Sequence, residues 1–189
     1  MSNMTLFHGS PFLFDRFDLS GAGEGTGIKF GFGVYLTEVE ASAVHYSQPR
    51  HLELMPEHYL YTVEIPPLTE DNHLVSARPV SPTIINKVEE RLGITAPDKV
   101  KAQGKEFRKW VGTTLTGGKK AGFAEEKAAA ELLNSLGVLY NVWPQAQSKP
   151  DGAKNIAVFD AANVSIVKRE RIEIENKCKK WILVSREEL

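Results

Sequence analysis

Three short segments hold residues whose types and spacing suit chemistry. His8 stands beside Gly9 and Ser10, at the end of an expected first strand, Thr5-Leu6-Phe7, with Pro11 in the following turn. Its imidazole can hydrogen-bond a sugar hydroxyl. A strand edge stopping at Gly9 would leave backbone N–H and C=O groups free for a carboxamide, which needs one donor and one acceptor. Tyr35 follows Gly31-Phe32-Gly33-Val34. It offers a platform for a flat, positively charged ring such as nicotinamide, with about 0.5–2 kcal/mol of stacking and cation–π attraction. Between these segments lie six glycines, at 21, 23, 25, 27, 31 and 33, so the backbone there must take positive φ angles or approach a ligand closely. Its N–H groups could cradle phosphates. Neither a Rossmann βαβ pattern nor the Gly-Lys-Ser/Thr end of a P-loop is present. Each feature also has a plain structural reading: a capping histidine before a turn, a core tyrosine on a short strand, a flexible connector.

The elements that must position these residues follow from periodicity. Phe12, Phe14 and Phe17 read as packing residues. Val34-Tyr35-Leu36 reads as a short strand, and Thr37 with Glu40 fits a capping box for a helix from Glu38 to about Ser47. Tyr59–Ile65 alternates as a strand that Pro66-Pro67 ends. Residues 68–122 read as a mostly helical insertion, with one helix starting at Ser81-Pro82 and stopping at Gly93, and another around Val100–Val111. Gly117–Lys120 is expected to be a loop, and Phe123–Leu136 a helix closed by Gly137. Strands are expected at Val138–Trp143, Ile156–Phe159, Val164–Ile174 and Trp181–Val184, with a polar loop over 144–154. Strands dominate both ends with helices between them. The expected class is therefore α+β, one domain over 1–189 with a mostly antiparallel sheet, flanking helices and the insertion at 68–122.

Bulk properties exclude several classes. A net charge of -1 gives no global basic field for nucleic acid or membrane. The single cysteine, Cys178, rules out an intrachain disulfide and a cysteine-based zinc site, and no His/Cys cluster suggests a metal. No run of about 18 apolar residues and no secretory signal pattern is seen, so a cytoplasmic place of work without membrane contact is expected. Local basic clusters at Lys119-Lys120, Lys168-Arg169 with Arg171, and Lys177 with Lys179-Lys180, together with Trp110 and Trp143, could touch a nucleic acid. Charge runs are more often solvated faces, and Trp143 is more often core.

The order of motifs carries a family resemblance. His8-Gly9-Ser10, a glycine-rich stretch, Phe30-Gly31-Phe32-Gly33-Val34-Tyr35-Leu36-Thr37 and an alanine-containing helix resemble the ADP-ribosyltransferase superfamily. The likeness is to its diphtheria-toxin and poly(ADP-ribose) polymerase branch, especially small bacterial and phage-associated members. Asn155-Ile156-Ala157-Val158-Phe159-Asp160 resembles the strand that carries the catalytic acid. The resemblance covers about residues 5–50 and 123–168. It implies a split-sheet fold and NAD as co-substrate without a metal. His8 would then hydrogen-bond the adenosine ribose, and the Gly9 backbone would clamp the nicotinamide amide with help from Ser10. Gly33 would lie along the cofactor site, Tyr35 would stack on the nicotinamide, and Tyr46 would pack on its other side. Asn155 would take the acid's place near the nicotinamide ribose. It accepts a hydrogen bond but carries no charge, a loss of about 1 kcal/mol or more. That disfavours poly(ADP-ribose) elongation, favours single transfer and leaves the general base open. Asp151 ranks first, because its loop precedes the third motif. Glu24, Glu125 and Glu126 follow, and each of the four reads more readily as a solvated surface charge.

The leading expectation is a mono-ADP-ribosyltransferase acting on a protein or nucleic acid. It would serve as a toxin of a toxin–antitoxin or anti-phage system, restrained by an antitoxin or inhibitor protein, or as a delivered effector. A NAD glycohydrolase toxin, a non-catalytic NAD- or ADP-ribose-binding module, and a plain nucleic-acid-binding domain are the alternatives.

Overall fold

The computed structural model describes residues 2–20, 28–48, 57–144 and 152–189. Asp151, Glu24 and the glycines at 21, 23, 25 and 27 lie outside the described residues. In chain order the elements are β1 (Met4–Ser10), β2 (Val34–Thr37), α1 (Glu40–Tyr46), β3 (His58–Ile65), β4 (His73–Val75), α2 (Pro82–Leu92), α3 (Asp98–Lys101), α4 (Gly104–Thr116), α5 (Phe123–Ser135), β5 (Tyr140–Pro144), β6 (Lys154–Val158), β7 (Ser165–Lys177) and β8 (Lys180–Glu188). The class is α+β. One mixed sheet runs β4-β5-β6-β2-β1-β3-β7-β8. Among the described residues, only the β4–β5 pair is parallel.

The ladder is uneven at its centre. β1 pairs with β3 along its whole length, from Met4↔Ile65 to Ser10↔Tyr59, but with β2 only at Phe7↔Thr37. Two four-stranded halves therefore meet at a single register position. Alternating apolar residues put Leu6, Leu36, Val63 and Ile156 into one core on the first face of the sheet. On the second face, α1 lays Ala43 and Val44 against Leu60 and Ile172. The helices α2, α4 and α5 pack around Ile84, Phe107, Val111 and Leu133, and that core reaches Phe32 and Phe159 beside the sheet.

Several boundaries differ from the expected ones. β1 continues through Ser10, because its pairing with β3 persists, so His8 lies within the strand rather than at its end. α1 starts at Glu40, two residues late, since Thr37 is still held in the ladder opposite Asn155. The Thr37 hydroxyl accepts from the Val39 N–H at 3.2 Å instead of capping the helix. The helix expected over Val100–Val111 is two helices, α3 and α4, separated at the extended Gln103. Within 68–122, β4 was not expected: three residues are too few to display a strand period. Of the three early phenylalanines, Phe14 and Phe17 pack, whereas Phe12 is exposed.

Gly9 is where α1 touches β1. A Cβ there would stand 1.8 Å from the Ala43 carbonyl oxygen, a backbone atom that cannot swing away. Gly9→Ala is expected to lower the unfolding free energy by about 3 kcal/mol, the upper end of overpacking costs. Urea denaturation checks this. An unchanged midpoint would mean that α1 does not seat on β1.

Candidate functional site

His8 is directly opposite Tyr61 on β3, and its ring shares the first face with Leu6. The Phe17 ring meets it edge-on at 5.0 Å, with Phe14 and Tyr61 each at 6.2 Å. Tyr61 secures this wall. Its hydroxyl donates to the Phe12 carbonyl and accepts from the Phe14 N–H, both at 2.9 Å, while Phe14 stacks on its ring. His8 Nδ1 lies 2.8 Å from the Tyr35 carbonyl oxygen. A carbonyl only accepts, so Nδ1 carries the proton and Nε2 keeps a lone pair that no described residue engages. Burial pushes the imidazole pKa below its ordinary value, and the bond to Tyr35 opposes that only in part. His8 is thus held neutral, with Nε2 as an acceptor.

Tyr35 leaves β2 on the second face. Its hydroxyl donates to the Gly31 carbonyl at 2.8 Å and accepts from the Phe30 N–H at 3.1 Å. The ring stands edge-on to Trp143 at 5.5 Å, and Trp143 stacks on Phe30 at 4.2 Å. Asn141 Nδ2 donates to the Phe30 carbonyl at 2.8 Å. The phenol is pushed up to about 12, mainly by burial, with the hydrogen bond from Phe30 opposing. It therefore stays neutral and keeps donating to Gly31.

Asn155 comes to Tyr35's face through register. It pairs with Thr37 on β2 and with Trp143 on β5, and Thr37 pairs with Phe7 on β1. Phe7, Thr37, Asn155 and Trp143 form one row across four strands, and Tyr35 lies two residues along β2 from that row. The three motif strands β1, β2 and β6 are consecutive neighbours at the centre of the sheet. The Tyr35 ring, Trp143 and Asn155 share one face. The His8 ring is on the other, joined to Tyr35 through the latter's carbonyl.

Other expected site residues are placed differently. Ser10 is buried, and its hydroxyl oxygen accepts from the Phe12 N–H at 3.0 Å, which fixes the local turn. Gly33 packs against β6: a Cβ there would meet the Val158 carbonyl oxygen at 2.4 Å. Tyr46 is 52% exposed, and among the described residues its ring meets His45 rather than Tyr35. Glu125 accepts from the Gly122 N–H at 2.9 Å and caps α5. Glu126 is not a surface charge. It is buried in an ion pair with Arg108, whose Nε donates at 2.6 Å and Nη2 at 3.3 Å, because both residues occupy core positions of the packed helices α4 and α5.

Two residues escaped the sequence reading. Arg108 is one, and its signal was a cation on the apolar stripe Gly104, Phe107, Val111, Gly112 of α4. Glu38 is the other. Its carboxylate accepts from the Lys154 N–H at 2.7 Å, and its own N–H donates to the Lys154 carbonyl, clipping β2 to β6 next to Asn155.

The basic clusters on the last hairpin are largely paired. Lys168 reaches Glu170 at 2.8 Å and Glu188 at 3.4 Å, Arg169 meets Asp15, and Lys177 meets Glu175 at 3.0 Å. Trp143 is buried, as its core reading requires. Among the described residues no group of His, Cys, Asp or Glu is arranged to hold a metal ion, and no helix is long and apolar enough to cross a membrane. No protein-family model matches the chain, and no curated protein matches it.

His8 gives a pH dependence with a definite sign. Its folded pKa lies below the ordinary 6.5, so below that pH the unfolded chain binds more protons than the folded one. Its contribution is fully present above pH 6.5 and is lost as pH falls. Melting curves from pH 8 to 5 should show a decline below pH 6.5 that is shallower in His8→Asn. An identical slope in the variant would contradict the placement of His8.

Proposed function

We propose that the chain has an ADP-ribosyltransferase-like fold, binds NAD at the β1–β2 junction, and transfers one ADP-ribose to a macromolecular acceptor. The observation that carries this reading is the hydrogen bond from His8 Nδ1 to the Tyr35 carbonyl at 2.8 Å. It ties together two motifs 27 residues apart that resemble that superfamily, and the adjacent β6 supplies the third. A dinucleotide lying across the junction meets the acceptor Nε2 of His8 on one side and the ring of Tyr35 on the other.

Chemically, the nicotinamide leaves with the electron pair of the glycosidic bond, which neutralises its ring charge. The ribosyl carbon becomes oxocarbenium-like and is captured by a nucleophile of the acceptor, which gives up its proton. The protein's part is to fix the bound conformer and keep water out. Tyr35 supplies the face for the ring, and its neutral phenol is anchored at Gly31. Asn155 accepts a hydrogen bond from the ribose without adding negative charge, which favours single transfer over elongation. Glu38, clipped beside Asn155, joins Asp151 as a candidate for the acceptor's proton. The acceptor is a protein or a nucleic acid, and the role is that of a toxin acting in the cytoplasm.

Incubation with labelled NAD and cell lysate should label a macromolecule, and Tyr35→Ala should reduce labelling at least about a hundredfold, since the platform for the leaving group is gone. Labelling that survives this change would sink the site assignment. NAD loss without a labelled acceptor would instead select hydrolysis, and NAD binding without turnover a non-catalytic module. Asn155→Glu restores a charge at the acid position and is expected to raise NAD cleavage about tenfold, the equivalent of about 1.4 kcal/mol. An unchanged or lower rate, read by nicotinamide release, would remove Asn155 from that role.

A further inference from the structure

Arg108 is fully buried, and one of its nitrogens, Nη1, has no hydrogen-bond partner among the described residues. Its counter-charge Glu126 is buried with it. The surroundings are apolar, with Phe107, Val111 and Ala129 in the same core. A buried ion pair in such a place is weak support for stability, because apolar residues of similar volume often serve as well or better. An incompletely satisfied guanidinium is costlier still. The pair therefore calls for a reason other than holding the core.

The contacts of the guanidinium supply one. Gly31 has φ +106°, and a Cβ there would stand 3.0 Å from Arg108 Nε and 3.2 Å from Cζ, so the side chain packs against the bare Cα of Gly31. The Gly31 carbonyl takes the Tyr35 hydroxyl, and the preceding Phe30 N–H donates to that hydroxyl. From β5, Asn141 holds the Phe30 carbonyl and Trp143 stacks on the Phe30 ring. The turn that anchors the Tyr35 hydroxyl is thus held by residues of both α4 and β5. On the α4 side its seat is a flat charged group whose own hydrogen bonding is left incomplete.

We infer that Arg108, neutralised by Glu126, is a positioning residue that seats the Phe30–Gly31 turn and thereby fixes the Tyr35 ring for its flat ligand. This rests on the reading of Tyr35 as the nicotinamide platform. Arg108 acts through Gly31 and touches no ligand.

Removing Arg108 alone would strand the Glu126 charge, so the decisive variant is the double change Arg108→Met/Glu126→Leu in the full chain. Three readouts apply: the thermal midpoint, amide exchange at Phe30 and Gly31, and calorimetric NAD affinity. The midpoint should be unchanged or higher, exchange at least about tenfold faster, and NAD binding at least about fivefold weaker. Arg108→Lys keeps the charge but loses the flat face, and should give intermediate exchange and affinity. A double variant with wild-type exchange and affinity would overturn the inference. So would one that fails to fold, since the pair would then be holding the core, and so would a lysine variant indistinguishable from wild type. If the unaltered protein binds no NAD, the proposed function fails, while the exchange rates still decide whether Arg108 seats the turn.

Discussion

The junction between β1 and β2 is the constraint on which the rest of the molecule depends. An eight-stranded sheet would ordinarily be joined at its centre by a full ladder. Here the described pairing is the single position Phe7↔Thr37, and the His8 bond to the Tyr35 carbonyl stands beside it. A side chain thus replaces ladder bonds that a strand pair would otherwise make with its backbone. That substitution fixes the tautomer of His8, and burial keeps it neutral. The same contact that holds the two halves together thereby leaves one nitrogen with a lone pair for a donor from outside. Stability and the proposed recognition share one residue.

A second polar arrangement supports Tyr35 from behind. Buried charges are expensive, and a pair of them next to an apolar helix core is tolerated only with close geometry. Arg108 and Glu126 meet at 2.6 Å. Their effects on Tyr35 oppose one another, the cation lowering and the anion raising its pKa, and burial, the largest cause, keeps the phenol a neutral donor. The close approach of α5 to Gly112, where a Cβ would lie 2.2 Å from the Glu125 carbonyl oxygen, brings the two charges within reach. Helix packing, ion pair and tyrosine anchor form one connected chain of contacts.

Much of this was legible in the sequence, for identifiable reasons. Long periodic elements such as α2, α5 and β3 announced themselves through spacing and their end signals. The neighbourhood of His8, Tyr35 and Asn155 was legible through the order of motifs, and strand order β6-β2-β1 makes those segments adjacent. Side-chain direction was not. The glycine after His8 reads as a strand end, but His8 sits inside the strand, and alternation then sends its ring to the face opposite Tyr35. Ser10 and Gly9 looked like ligand contacts. Their structural parts were hidden as well: the Ser10 hydroxyl fixes a local turn, and the bare Cα of Gly9 admits α1. Glu126 looked like surface because single charges usually are. The signal against that was its place on the stripe Glu126, Ala129, Ala130, Leu133 of α5, complementary to Arg108 on α4. Opposite charges on two core stripes were readable in principle, but only with the knowledge that those helices pack together. Asp151 lies outside the described residues.

The claim that matters most is that Tyr35 and His8 border one bound NAD. Intermolecular nuclear Overhauser effects measure this directly, with NAD added to protein labelled on its tyrosine and histidine rings. The account predicts contacts from nicotinamide ring protons to Tyr35 and from adenosine ribose protons to His8. Saturating NAD that produces no contact to either ring, or contacts confined to the β7–β8 hairpin, would contradict it.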